Sequence, residues 1–176
     1  VFDAESLTQR SRYAEHSRET YDAAISTARA VAEKYFLPIR AKADANQPTF
    51  EQGKIKMMPE IKTAVDAVVK SGLGSARADF ELGGMQLPGI VTSCVEAWLT
   101  AAGSTLLGYI SLSAANANLI DAYGSEDQKK KWVLPIRRGK FAGTMAMSEP
   151  NAGSGLADLT SSCLLYTSDA ADEVDS

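Results

Sequence analysis

Histidine occurs once in the 176 residues and cysteine twice, which leaves little from which to build a metal centre or a nucleophilic couple. His16 lies among charged residues and is expected to be exposed. Cys94 falls in an apolar helical pattern with no histidine beside it, so neither reads as a catalytic group. The same scarcity excludes a disulfide framework and a His/Cys metal cluster, and a reducing cytoplasm is the expected setting. An uninterrupted run of the about eighteen apolar residues that a bilayer requires is missing as well. The least charged stretch, Pro88 to Asp121, holds only Glu96 between its ends, but Thr92, Ser93, Thr100, Ser104, Ser111, Asn116 and Asn118 break it up. It is expected to be a buried helical hairpin bending near Gly103 and not a transmembrane segment. No aromatic-interleaved basic surface accompanies Lys129-Lys130-Lys131, which therefore reads as a solvated helix face and not as a nucleic-acid site. The glycine-rich turn near residue 153 lacks the Gly-Lys-Ser/Thr of a P-loop. It also lacks the following helix and later ribose-binding acid of a dinucleotide fingerprint.

What is present is mainly helical. Tyr21, Ile25, Ala28, Ala32 and Tyr35 recur at helical spacing, with Asp22, Arg29 and Glu33 between them, until Pro38 closes the segment. Residues 44–56 are polar and irregular and are expected to be a connection. From Pro59 a second helix places Met58, Ile61, Val65, Val68 and Val69 on one face and Lys62, Asp66 and Lys70 on the other, ending at Gly72. Gly124 ends the helix before it, and Ser125 with Gln128 makes a capping box for the next, which Pro135 ends or kinks. Thr144 to Met147 form a short, nearly uncharged run suited to a buried strand, and Pro150 stops further pairing because it has no N–H to give. Asn151-Ala152-Gly153-Ser154-Gly155 is loop chemistry: the glycines let backbone N–H groups approach a diphosphate, and Ser154 adds a hydroxyl without bulk.

From Cys163 the chain reads CLLYTSDAADE, which matches one frame of a common transposase-type sequencing adapter. Residues 163–176 are accordingly expected to be read-through, to be set apart from fold reasoning. The 22 acidic residues exceed the 18 Lys plus Arg by the four in this tail, Asp169, Asp172, Glu173 and Asp175. The net acidity is thus expected to be a property of the tail.

Three stretches, taken together, carry a resemblance. FAGTMAMSEPNAGSG (Phe141 to Gly155) joins a strand-like run to the glycine turn through Ser-Glu-Pro; YGSEDQKKKWVLPIRRGK (Tyr123 to Lys140) is a capped helix leading into it. FELGGMQLP (Phe80 to Pro88) matches Tyr-Gly-Gly-x-Gly-Leu-Pro at Gly83, Gly84, Leu87 and Pro88, with Leu82 and Gln86 departing. In this order they resemble the acyl-CoA dehydrogenase family. The polar insert before Met57 and the Ser-Glu-Pro form resemble its longer, 3-methylmercaptopropionyl-CoA dehydrogenase-like branch.

The resemblance implies a mainly α fold: the N-terminal helical domain over residues 1–139 and the first strand and turn of a middle β-domain over residues 140–162. It implies an FAD-dependent oxidoreductase performing α,β-dehydrogenation of an acyl-CoA thioester, in which a carboxylate base takes the α-proton and the flavin accepts the β-hydride. Met145, Ala146 and Met147 would then lie against the flavin ring, Ser148 would hydrogen-bond its pyrimidine side, and Gly153 and Ser154 would approach the diphosphate. Ser154 would also sit near the acyl-CoA phosphates, and Leu107 and Ser111 would face the acyl tunnel. The base lies beyond residue 162 in the family, so no catalytic residue is assigned and this stretch alone is expected to be inactive. Implied partners are an electron-transfer flavoprotein and further copies of the full-length chain, as a homodimer or homotetramer. Three alternatives stand beside this: an acyl-CoA oxidase or alkylation-response flavoprotein of the same fold, a non-catalytic helical interaction module in which Ser-Glu-Pro is only a turn, and, for Leu107 and Ser111, ordinary core positions.

Overall fold

In the computed structural model, which describes residues 3–162, the chain forms two compact units, one running to Thr144 and one beginning at Met145. The first unit is helical. Helix α1, Arg18–Val31, starts at a capping box: the Ser17 hydroxyl accepts from the Thr20 N–H at 3.4 Å, while the Thr20 hydroxyl takes up the Ser17 N–H at 2.8 Å. Tyr21, Ala28 and Ala32 are buried as their spacing predicts, but Ile25 and Tyr35 are only partly so, and Phe36 is fully buried in place of Tyr35. The cause is a π-helical turn over Ala32–Phe36, which widens the repeat and moves the buried stripe along by a residue. Pro38 stops the helix after this turn.

A short helix α2, Arg40–Ala45, precedes a hairpin of strands β1, Thr49–Glu51, and β2, Lys54–Lys56. Phe50 pairs with Ile55, and the two turn residues, Gln52 and Gly53, have φ of 53° and 75°. Positive φ at both is the type I′ geometry that lets the turn twist with its strands. Residues 44–56 are therefore not an irregular connection. Helix α3, Pro59–Lys70, buries Ile61, Ala64 and Val68 and carries a Lys62–Asp66 pair at 2.7 Å on its outer face. Gly72, in the left-handed conformation, ends it.

Helix α4, Gly89–Tyr123, breaks at Gly103, whose φ of 178° and ψ of 84° are not helical. Val91, Val95, Leu99 and Ala102 before the break, and Leu106 and Ile110 after it, join α1, α3 and the turn at Leu73, Ala76 and Leu87 in one core. By length and composition α4 could cross a membrane. The break and this buried face are instead what a core helix shows. A smaller cluster, Ala117, Val133 and Ile136, seats the terminal helical pieces against α4. These are α5, Glu126–Gln128, a π-helical turn, Lys129–Val133, and α6, Leu134–Arg137. The expected Ser125/Gln128 capping box forms, at 2.9 and 3.3 Å. Pro135 has no N–H for the carbonyl one turn earlier, and the wide π turn accommodates that loss.

The first compact unit runs on to Thr144: the Gly143 N–H donates to the Ser113 hydroxyl on α4 at 3.1 Å, which keeps residues 140–143 with the helices. The run from Thr144 to Met147 is not a buried strand. Among the described residues it has no ladder partner, and Met145 and Met147 are 51% and 46% exposed. A strand needs neighbours to pair with, and no second strand pattern lies within the described residues beside it. Residues 163–176, expected to be adapter read-through, lie outside the described residues.

Candidate functional site

The second unit is organised by the Glu149 carboxylate. Pro150 follows it, and the chain reverses at once: Glu149 and Ala152 exchange backbone hydrogen bonds of 2.9 and 3.1 Å, and Ala152 is buried. A single 3₁₀ turn, Leu156–Asp158, then leads back. One carboxylate oxygen of Glu149 accepts the N–H and the hydroxyl of Thr160, each at 3.0 Å, and the other accepts the Ser161 N–H at 2.8 Å. Hydrogen bonds from Ser161 and from the backbone of Thr160 hold the Glu149 pKa down at about 2. A carboxylate so satisfied is no proton acceptor at neutral pH.

Between these staples the loop is open. Among the described residues the N–H groups of Gly153, Ser154 and Gly155 have no hydrogen-bond partner, and all three residues are exposed. A Cβ on Gly153 would meet nothing within 4 Å. Successive free N–H groups on a turn suit an anion such as a phosphate. On the other side of the Glu149 turn, Met145, Ala146, Met147 and Ser148 form an exposed strip, apolar except for the serine hydroxyl. All the sequence-derived cofactor residues thus belong to one unit and lie on its surface.

Leu107 and Ser111 stand one turn apart on α4, in the helical unit. Leu107 is partly buried against the main core. Ser111 is exposed and lines a cleft of about 220 Å³ with Thr92, Val95, Glu96 and Arg137. A second, more apolar cavity of about 430 Å³ opens beside it, between Val65 and Val69 of α3, Tyr109 of α4 and Phe141. Arg137 borders both cavities, and sequence reasoning did not single it out. Its side chain is 5% exposed and donates to Asn118 at 3.2 Å, to Asp121 at 3.3 Å and to the Leu82 carbonyl at 3.4 Å. The signal for it in the sequence is only its place two residues after Pro135.

The Phe80 to Pro88 stretch is a backbone device rather than a ligand site. The Gln86 and Leu87 N–H groups donate to the Ala78 and Ala76 carbonyls, both at 2.8 Å, which brings Gly84 so near that a Cβ there would lie 2.0 Å from the Ala78 oxygen. Gln86 takes a φ of 52° where the family pattern has glycine. Its side chain reaches the Arg12 carbonyl at 2.5 Å, and its own carbonyl accepts from His16 Nε2 at 3.1 Å. His16 is accordingly half-buried, between the rings of Tyr21 and Phe80, and not free in solvent. Cys94 is exposed, and no group of three or more His, Cys, Asp or Glu is placed to hold a metal among the described residues.

A helical domain carrying a capped helix into a Ser-Glu-Pro turn defines a class, and the comparisons with known proteins name it. The family model described as acyl-CoA dehydrogenase, N-terminal domain, matches residues 18–140. The chain belongs to the acyl-CoA dehydrogenase family. It is 33% identical over 115 residues to the broad-specificity linear acyl-CoA dehydrogenase FadE5 of Mycobacterium tuberculosis, covering 64% of this chain and 18% of that protein. It is 29% identical over 119 residues to the 3-methylmercaptopropionyl-CoA dehydrogenase of Ruegeria pomeroyi, covering 68% of this chain and 20% of that protein. The chain therefore spans about a fifth of the length of these curated relatives. The crystal structure of glutaryl-CoA dehydrogenase from Mycobacterium smegmatis shares the fold, with a TM-score of 0.67 and 21% identity over 89% of this chain and 37% of that one.

Proposed function

We propose that this chain is the N-terminal part of an FAD-dependent acyl-CoA dehydrogenase that oxidises the α,β-bond of an acyl-CoA thioester, within the longer branch that 3-methylmercaptopropionyl-CoA dehydrogenase represents. The observation that carries the proposal is the run of exposed N–H groups at Gly153, Ser154 and Gly155 that have no partner among the described residues, on a loop pinned at both ends beside the Met145-Ala146-Met147 strip. Those residues fit FAD: the N–H run offers donors to a diphosphate, the two methionines offer apolar, polarisable surface to a ring, and Ser148 offers a hydroxyl. When bound, FAD supplies the hydride acceptor that no side chain provides.

The chain's own residues bind and orient. With FAD and acyl-CoA bound, Ser148 would donate to the ring, Gly153 and Ser154 would hold phosphate oxygens of the cofactor and, at Ser154, of the acyl-CoA, and Leu107 and Ser111 would border the acyl group. Glu149 holds no catalytic proton, because its carboxylate is already committed to Thr160 and Ser161. An electron-transfer flavoprotein would be the electron acceptor, and the full-length protein would be a homodimer or homotetramer of the cytoplasm. Anaerobic addition of short, long and branched acyl-CoA thioesters to the full-length protein tests the reading. Loss of the oxidised flavin absorbance with at least one of them is expected, and a flavin that none of them bleaches would refute it.

A further inference from the structure

We infer that Glu149 is the positioning residue of the glycine-rich loop: its carboxylate fastens Thr160 and Ser161 to the start of the turn and so fixes the shape that Gly153 and Ser154 present. The functional meaning of that shape rests on the flavin reading above; the fastening itself does not.

Three kinds of contact hold residues 149–161 together. The Glu149–Ala152 bridge and the Leu156–Asp158 turn are local, each spanning at most a few residues. Among the described residues only the carboxylate reaches across, to residues eleven and twelve positions later. Remove it, and residues 153–159 keep their short turns but lose the bond that closes them into one loop, so the entropy of the open segment returns.

The chemistry requires this side chain. Three donors converge on the two oxygens, and an ionised carboxylate is the group that accepts at both ends. A glutamine would turn an NH₂ toward one of those donors, and an aspartate is shorter by a methylene. Pro150 assists by making the reversal immediate and by competing for no acceptor. The N–H groups of Glu149, Ala152, Asp158, Leu159, Thr160 and Ser161 are satisfied within the loop, whereas those of Gly153, Ser154 and Gly155 have no partner among the described residues. Glu149 acts on the ligand only through the loop.

The test uses the full-length protein with Glu149→Gln, hydrogen exchange along the chain, and FAD affinity. Glu149→Gln should raise exchange in peptides covering 150–161 by about tenfold, the scale of a charge-assisted hydrogen bond, and leave residues 18–140 unchanged. FAD affinity should fall with it, and Ser154→Ala should cost less affinity in the Glu149→Gln background than alone, because both act through one loop. Unchanged exchange over 150–161, a rise spread over the whole protein, or fully additive losses would overturn the proposal. If the unaltered protein retains no FAD, the flavin reading fails and the exchange pattern alone decides the fastening. Should Glu149→Gln not fold, Glu149→Asp, which keeps the charge and shortens the reach, is read by the same outcomes.

Discussion

Arg137 donates to the Asp121 carboxylate at 3.3 Å with only 5% of its own side chain exposed, tying α6 to the last turns of α4. Asp121 is 30% exposed, so the pair is asymmetric: the cation is committed to the interior and the anion is not. Asp121→Ala should therefore destabilise by about 2 kcal/mol, less than for a fully buried pair, by leaving the guanidinium with two neutral acceptors. Thermal or denaturant unfolding measures it. Joint replacement by Arg137→Met and Asp121→Leu should recover much of the loss, whereas a cost of Asp121→Ala near zero would place the pair with exposed ion pairs.

Two glycines should respond to alanine in opposite ways. At Gly84 the added Cβ would lie 2.0 Å from the Ala78 carbonyl oxygen, a backbone atom that cannot rotate aside. Gly84→Ala is expected to cost about 3 kcal/mol of stability. At Gly153 nothing lies within 4 Å, so Gly153→Ala should leave the melting curve unchanged and weaken FAD binding in the full-length protein. Equal stability of the two variants would contradict the close approach at Gly84.

On the proposed flavin reading, Ser148→Ala removes one donor from a ring that gains charge on reduction. In the full-length protein the expected shift in flavin affinity or reduction potential corresponds to about 1.5 to 3 kcal/mol, with the fold intact. If neither quantity moves, Ser148 is a turn residue and nothing more.

Glu149 sets an acid limit on its loop. Its folded pKa of about 2 lies below the usual 4.5, so the stabilisation it gives is fully present above pH 4.5 and is lost as pH falls toward 2. A carboxyl-carbon NMR titration of Glu149, followed together with the Thr160 and Ser161 amides, should show one transition near the lower value. A midpoint at 4.5 would mean that the three donors do not reach the carboxylate.

The hairpin turn offers a gain. Gln52 occupies a left-handed position that asparagine adopts more readily. Gln52→Asn is expected to add about 0.5 kcal/mol to hairpin stability, visible as slower exchange of the Thr49–Lys56 ladder amides.

The helices were legible because their signals are local. Ser125 and Gln128 state a cap, Pro59 a start and Gly72 an end, and each needs no partner from elsewhere in the chain. The failures came where geometry depends on context. The substitution of Phe36 for Tyr35 in the core follows from a π turn, which no periodicity count contains. The hairpin leaves little pattern because each strand has three residues and its turn begins with glutamine, and nothing near His16 in the sequence signals its burial because Gln86, its partner, is 70 residues away. At the candidate site, glycine and serine at close spacing mark the segment as the exposed loop that the structure shows. The commitment of Glu149 was not legible, because Thr160 and Ser161 carry no pattern of their own. Arg137 looked like any surface arginine until Asn118 and Asp121 were folded beside it.

The break at Gly103 decides how far α4 can reach. Unbroken, 35 helical residues would make a rod about 52 Å long, whereas a compact body of this many residues is only roughly 40 Å across. One end of such a rod would have to project, carrying residues now buried, such as Leu106, Ile110 and Ala117, with it. A single residue out of helical conformation folds that length back within the domain, so Gly103 bears on solubility as well as on packing. A variant that straightened α4 would be expected to betray itself first by self-association.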